Sequence, residues 1–305
     1  MTSIMASGNG SGAVEVVAPA KLNLALLVGP LRPDGYHEIA SLMVPVTLAD
    51  TVSVACTPGQ GLDVVCDVAP GEDNLAARVV REVEARLGRA LEVRVTITKR
   101  VPAGGGLGGG SSDAAATLVA LERLFDLDLT PRVRLDVAAA VGSDVPFFLW
   151  PGPQLAMGRG QVLKAVELPE LHFVVAVPDL ALATREVYGW HDEDAADLAA
   201  FVPRARRLSQ QAQAARTSVD VAALVRNDLE SCVAARCPQI GALRDRLFAE
   251  GALAAAMTGS GAAVFGLFPD AHSASRARAA LAPTRAWHVT DLQPVAVRGS
   301  DDPPE

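Results

Sequence analysis

Between Leu91 and Thr98 apolar and polar side chains alternate, with Val93, Val95 and Ile97 on one face and Arg94, Thr96 and Thr98 on the other. That is the period of a half-buried strand in an antiparallel or mixed sheet. The same period, less cleanly kept, predicts a strand from Val14, a break at Pro19 and a second strand to Val28. A turn follows at Asp34-Gly35, and a further strand covers Thr51 to Ala55. Leu75, Val79, Val83 and Leu87 instead recur at helical spacing, with Asn74 in position to cap the helix they define. A second helical stripe, Ala114, Leu118, Leu121 and Phe125, predicts a helix from about Ser111 to Phe125, and a third covers Arg132 to Val141 and ends at Gly142.

Beyond these, Phe173–Val177 reads as a short apolar strand opening a second domain, and Asp192–Thr217 as helical on its Ala, Arg and Gln content. Leu253–Met257 and Ala262–Phe268 read as strands around a Gly-Ser-Gly turn, followed by a helix over Ala271–Leu281 and a strand near His288–Leu292. Strands and helices do not alternate regularly, so the expected fold class is α+β. The expected organisation is an N-terminal domain over 13–168 and a C-terminal domain over 169–299. The small, polar ends, 1–12 and 300–305, read as unstructured tails.

Half of the 305 residues are apolar and a fifth are charged, enough to bury a sizeable core. The net charge of −8 comes with no basic stripe, which argues against nucleic acid as a partner. No apolar run is long enough to span a bilayer and no export signal opens the chain. Cys56, Cys66, Cys232 and Cys237 lack the spacing of a disulfide framework or a zinc site, so a cytoplasmic protein with inert thiols is expected. The 27 basic residues include lysine only at 21, 99 and 164. In a chain that otherwise uses arginine, a lysine marks places where a compact ammonium suits a point contact.

The strongest chemical signal is a loop: Pro102, Ala103, then Gly104, Gly105, Gly106, Gly108, Gly109 and Gly110 around Leu107, then Ser111 and Ser112. So many glycines raise the entropic cost of ordering a loop, and their use is to let backbone N–H groups approach a ligand closely. The loop runs into a helix start, where free N–H groups and the dipole favour anions. It is a phosphate cradle. It is not a P-loop, since Gly110 is followed by Ser111 rather than lysine. A dinucleotide-binding reading of Gly104, Gly106 and Gly109 is weak, because Lys99-Arg100-Val101-Pro102 separates the strand from the first glycine.

The segment from Pro102 to Ala115 resembles the second motif of the superfamily of galactokinase, homoserine kinase, mevalonate kinase and phosphomevalonate kinase. Pro19-Ala20-Lys21-Leu22-Asn23 resembles the first motif and Thr258-Gly259-Ser260-Gly261-Ala262 the third, in the same order. Within it the chain is most similar to the 4-diphosphocytidyl-2-C-methyl-D-erythritol kinases. The stretches from Ala20, Arg32, Glu72, Thr98 and Gly142 all recur there at similar spacing, and the likeness covers most of Val16 to Phe268. Departures are Asp113, where asparagine is usual, Gln154 and Ala156 in a run of small residues, and Ser260, where threonine is frequent.

The resemblance implies an N-terminal ribosomal-protein-S5-domain-2-like domain, a C-terminal ferredoxin-like domain and an active site in the cleft between them. It implies ATP, carried with Mg²⁺, as phosphate donor, and a cytidyl polyol as acceptor in the non-mevalonate isoprenoid route. A kinase acting on homoserine or mevalonate, or a silent ligand sensor, stays as an alternative. The oligomeric state is left open. Lys21 and Asp144 match the catalytic pair. Asp144, beside an apolar segment, is by itself either a cap or a working base. The glycine loop, with Asn74 and Lys99 near the adenine, would bind ATP; helix capping is a rival role for Asn74. Asn23, Tyr36, His37, Thr184, Tyr188, Gly259, Ser260 and Gly261 would bind the acceptor, with the two tyrosines on the faces of the cytosine and His37 at its edge. Ser111 or Ser112 would stand near the metal. His172, His191, His272 and His288 receive no role.

Overall fold

The computed structural model describes residues 6–9, 12–69, 71–193 and 200–292. Its spine is a long antiparallel hairpin of β2 (Ala13–Leu31) and β3 (His37–Cys56), in register from Ala13↔Ala55 to Leu31↔His37. Pro19 does not break β2: the register shifts between Pro19 and Ala20, so a bulge absorbs the residue that cannot donate to the ladder. Short strands pair along the edges of this spine. β1 (Ala6–Asn9) adds to β2; β5 (Val93–Thr98) adds to β3, with β4 (Leu62–Cys66) parallel to β5. β6 (Gln154–Gly158) joins the other end of β3 and carries β7 (Val162–Ala165).

The helices α1 (Leu75–Leu87), α2 (Gly109–Leu124) and α3 (Pro131–Val141) pack with this sheet around a core of Val16, Val52, Val54, Val93, Val95 and Ile97. A second, antiparallel sheet has the order β10 (Ala254–Met257), β11 (Val264–Phe268), β8 (His172–Val177), β12 (Arg285–Thr290). With α4 (Thr184–Glu193), α5 (Phe201–Ala214), α6 (Ser218–Ala222), α7 (Glu230–Arg236) and α8 (Pro238–Ala249) between β8 and β10, and α9 (Ala271–Ala280) before β12, this is a mixed α+β architecture, as expected.

The two sheets share a core. Leu22, Leu24, Leu42 and Val44 of the hairpin are buried in one cluster with Phe173, Val175 and Phe265 of the second sheet. A two-residue strand, β9 (Arg226–Asn227), returns from the C-terminal part to pair with β2.

Three further expectations are corrected. Ala6–Asn9, assigned to a tail, pairs with Ala13–Val16; a hairpin edge of this kind needs only backbone groups. The helix α2 begins at Gly109, two residues earlier than its apolar stripe shows. The helical stretch Asp192–Thr217 divides into the end of α4 and the helix α5, and residues 194–199 between them lie outside the described residues. Likewise 1–5 and 293–305 lie outside, including the 300–305 tail assignment.

Candidate active site

Lys21 and Asn23 sit where β2 crosses the middle of the hairpin. Lys21 N–H donates to Leu107 O at 2.9 Å, tying the strand to the glycine loop. Its side chain passes Gly108, where a Cβ would lie 3.0 Å from Lys21 Cγ and 2.9 Å from Phe148 Cζ, so this position tolerates glycine alone. The ammonium also lies close under Gly259 of the third motif. It donates to Asn23 Oδ1 and stands 3.7 Å from Asp144 Oδ2. Burial pulls the Lys21 pKa below its ordinary value, with Asp144 acting in the opposite direction. The pair is asymmetric: the Lys21 side chain is 4 % exposed and that of Asp144 38 %. Asp144 follows the end of α3, in a turn closed by Val145 N–H to Gly142 O.

The glycine loop is held by its carbonyls. Ala262 at the end of the third motif and Ala263 after it donate to Gly104 O and Gly105 O at 3.3 and 3.2 Å. Among the described residues, no backbone acceptor meets the N–H groups from Gly104 to Gly110. One side of the loop is thus taken by protein and the other offers donors, at the start of α2, to an anion. Gly104, Gly106 and Gly108 have positive φ. A Cβ on Gly106 would lie 2.3 Å from Thr258 O and 3.1 Å from Gly261 N. That glycine is required by the third motif pressing on the loop rather than by close approach of phosphate. Gly110, by contrast, meets only Leu75 Cδ1 at 3.9 Å.

Beside the loop lies a cavity of about 360 Å³, lined by Val68, Asn74, Lys99, Pro102–Ser111 and Asp113. Asn74 caps α1, its Oδ1 accepting from Ala76 N–H at 2.9 Å while its amide donates to Ala69 O. Its polar atoms therefore serve the fold at the cavity wall. Lys99 is committed too: its ammonium lies 2.5 Å from Asp50 Oδ2 and 2.7 Å from Asp113 Oδ2. Asp50 also accepts from Val101 N–H at 2.8 Å, fixing the approach to the loop. Two buried carboxylates share one ammonium, and Asp113 Oδ1 has no partner. Burial lifts the Asp113 carboxyl to about 7 against the pull of Lys99, with Asp50 pushing the same way as burial. Ser112 Oγ is buried without a partner at the same helix start.

The residues expected at the acceptor come from both parts of the chain. His37 Nδ1 faces Gly29 O at 2.9 Å and its ring stacks on Tyr188, centroids 5.3 Å apart and planes at 30°. Burial raises the Tyr188 pKa, and the nearby Asp144 charge raises it further. Thr184 Oγ1 meets Ser260 Oγ at 3.0 Å, linking α4 to the third motif. Tyr36 is 52 % exposed, with the Arg159 guanidinium 4.8 Å above its ring. Asn23 donates to Ser41 Oγ, and its backbone N–H to Thr258 Oγ1 at 2.9 Å.

Sequence reasoning missed Asp50 and Asn227, and named Thr258 only as the start of the third motif; Asn227 donates to Met257 O and Gly259 O at 2.7 and 2.8 Å. Asp50 alone carried a signal, a carboxylate at the end of an otherwise apolar run.

Family models match twice: GHMP kinases N terminal domain over 74–152 and GHMP kinases C terminal over 209–285. The chain is 43 % identical over 278 residues to the 4-diphosphocytidyl-2-C-methyl-D-erythritol kinase of Anaeromyxobacter dehalogenans (strain 2CP-1 / ATCC BAA-258), covering 87 % of this chain and 84 % of that one. It is 36 % identical over 287 residues to the enzyme of that name from Geobacter sp. (strain M21), covering 92 % and 99 %. A crystal structure of 4-(cytidine 5'-diphospho)-2C-methyl-D-erythritol kinase superposes with a TM-score of 0.74 at 35 % identity, over 92 % of this chain and 100 % of the other.

Proposed function

The chain belongs to the GHMP kinases, and among them to the 4-diphosphocytidyl-2-C-methyl-D-erythritol kinases; from that premise we propose that it moves the γ-phosphate of ATP to the 2-hydroxyl of 4-diphosphocytidyl-2-C-methyl-D-erythritol, in the cytoplasm, on the non-mevalonate route to isoprenoid precursors. The observation that carries the reading is the Lys21–Asp144 pair, 3.7 Å apart where the glycine loop and the third motif meet. The polyphosphate lies along the free N–H groups of the loop and the start of α2, with its base in the cavity beside Asn74 and Lys99.

Transfer of a phosphoryl group through a loose transition state asks the protein mainly for positioning and charge stabilisation. Lys21, buried between Gly108 and Gly259, supplies a fixed positive charge at the γ-phosphate. Asp144, more open, faces the acceptor hydroxyl, orients it and takes its proton late in transfer. Asn23 holds the Lys21 ammonium and is itself held by Ser41. No cluster of three or more His, Cys, Asp or Glu among the described residues could hold a metal unaided. The unpartnered Ser112 hydroxyl at the helix start fits a Mg²⁺ that arrives with the triphosphate, with Ser111 next to it; the ion supplies neutralisation of phosphate charge.

An ADP-release assay across the cytidyl polyol, mevalonate, homoserine and galactose tests the reading. ADP release with the cytidyl polyol alone is expected. Release with another acceptor moves the assignment within the superfamily, and no release with any of them removes the kinase reading.

A further inference from the structure

We propose that Asn227 is a positioning residue for phosphoryl transfer: by holding Gly259 it sets the distance between the third motif and the Lys21 ammonium, where the transferred phosphate has to fit. The inference rests on the kinase reading above and adds to it a residue that touches no reactant. β10 is the outer strand of the second sheet. At its end, side chains from the corner after β9 take the place of a further strand. Asn227 Nδ2 donates to Met257 O and Gly259 O at 2.7 and 2.8 Å, and Glu230 Oε2 accepts from Met257 N–H at 2.6 Å. Asn227 Oδ1 accepts from Leu229 N–H at 2.9 Å. The amide therefore makes three bonds, and two of them use a pair of hydrogens that neither a carboxylate nor a hydroxyl carries.

The same corner is fixed to the strand that carries Lys21. Arg226 and Asn227 pair with Ala25 and Leu26 of β2. Asp228 N–H donates to Leu26 O at 2.9 Å, and Asp228 Oδ2 accepts from Val28 N–H at 3.0 Å. The third motif is thus referred to β2 twice, by Thr258 Oγ1 accepting from Asn23 N–H and by Asn227 at Gly259. Gly259 has little room between its neighbours: a Cβ there would lie 2.9 Å from Gly106 O and 3.3 Å from Lys21 Nζ. Freeing the Gly259 carbonyl lets this turn shift against the glycine loop and the ammonium together. A displacement of about 1 Å in a reacting geometry can cost on the order of 10²-fold in rate.

Asn227→Asp keeps the size and the bond from Leu229 N–H, and faces both carbonyls with an anion. At about pH 8.5 it should lower kcat by roughly ten- to a hundredfold, with the acceptor KM within about twofold and the circular dichroism of the parent. Protonation gives the introduced carboxyl one O–H to donate, and the two facing carbonyls favour that form. The ratio of parent to variant kcat should therefore shrink at least about threefold between about pH 8.5 and about pH 6. Arg226, Asp228 with its partner Arg204, and Glu230 with Arg244 and Asp245 of α8 surround the position in both proteins, so the ratio isolates the introduced group. Asn227→Ala, which opens onto a cavity of about 340 Å³ beside this corner, should show a similar deficit that does not vary with pH. A kcat within about twofold of the parent in Asn227→Ala overturns the inference. So does a deficit in Asn227→Asp that stays constant with pH, or a loss carried by both KM values with kcat unchanged. If the parent itself releases no ADP with any acceptor, the kinase reading falls first and the inference with it.

Discussion

The phosphate side and the acceptor side of the cleft are built from different materials. On the proposed phosphate side the groups on offer are backbone N–H donors, and the side chains around them are already engaged: Lys99 with Asp50 and Asp113, Asp50 with the approach to the loop, and Asn74 with the start of α1. On the proposed acceptor side the groups on offer are side chains (Asp144, His37, Tyr188) that are exposed, half-buried or paired loosely across two parts of the chain. A triphosphate is common to many kinases and can be met by a rigid cradle. A particular acceptor has to be distinguished, and that takes side-chain chemistry at the open end of the site.

The largest effect should come where the halves meet. Asp144→Asn should lower kcat by about 10²–10⁴, with ATP affinity measured by titration nearly unchanged; near-normal turnover would remove Asp144 from its assigned role.

Next, Tyr188→Ala should raise the acceptor KM by roughly one to two decades, from a stacking energy of about 1–3 kcal/mol, and leave the ATP KM alone. Tyr36→Ala should do less, because Tyr36 lies exposed under Arg159 instead of against the stacked pair. If the two mutants reverse that order, the acceptor surface has been drawn on the wrong side of His37.

The phosphate side should answer differently. Gly106→Val drives a Cβ into Thr258 O and should both weaken ATP binding and lower Tm by on the order of 5 °C. Gly110→Ala meets no such wall, so any loss of ATP affinity there should appear without a Tm change. A Gly106→Val protein with unaltered Tm would show that the loop and third motif are not pressed together.

A separate effect, read on stability alone, concerns pH. Asp113 keeps its proton in the folded state up to about 7, well above an unfolded aspartate. Folding therefore takes up a proton, and stability should fall as pH rises from about 4 to about 7. Asp113→Asn should flatten that slope in thermal unfolding; a slope equal to that of the parent would assign it to other groups.

The sequence made the phosphate side legible and left the acceptor side largely dark, for the same reason. Glycines in series, a capping asparagine and an alternating strand are local patterns, and the structure keeps them at Gly104–Gly110, Asn74 and Val93–Thr98. Lysine scarcity was legible as well: Lys21 and Lys99 both end beside carboxylates. The long first half of β3 escaped because residues from Ala40 to Val46 are buried on both faces and show no alternation. Thr258 reaches Asn23 across 235 positions. No spacing rule reports such a pair; only the resemblance pointed to Tyr188 and Thr184, and nothing pointed to Asn227.

The bonds from Ala262 and Ala263 to the carbonyls of Gly104 and Gly105 also carry a message about biosynthesis. Roughly 160 residues separate the partners, so at a synthesis rate of about 5–20 residues per second the glycine segment leaves the ribosome some 10–30 s before the chain that shapes it. In that interval six glycines have no wall to lean on, and the entropic cost of ordering them falls due only when the last quarter of the polypeptide arrives. A nascent chain halted before Gly259 should therefore carry a folded helical layer and yet retain no nucleotide, which would make ATP capture a signal that translation has reached the third motif.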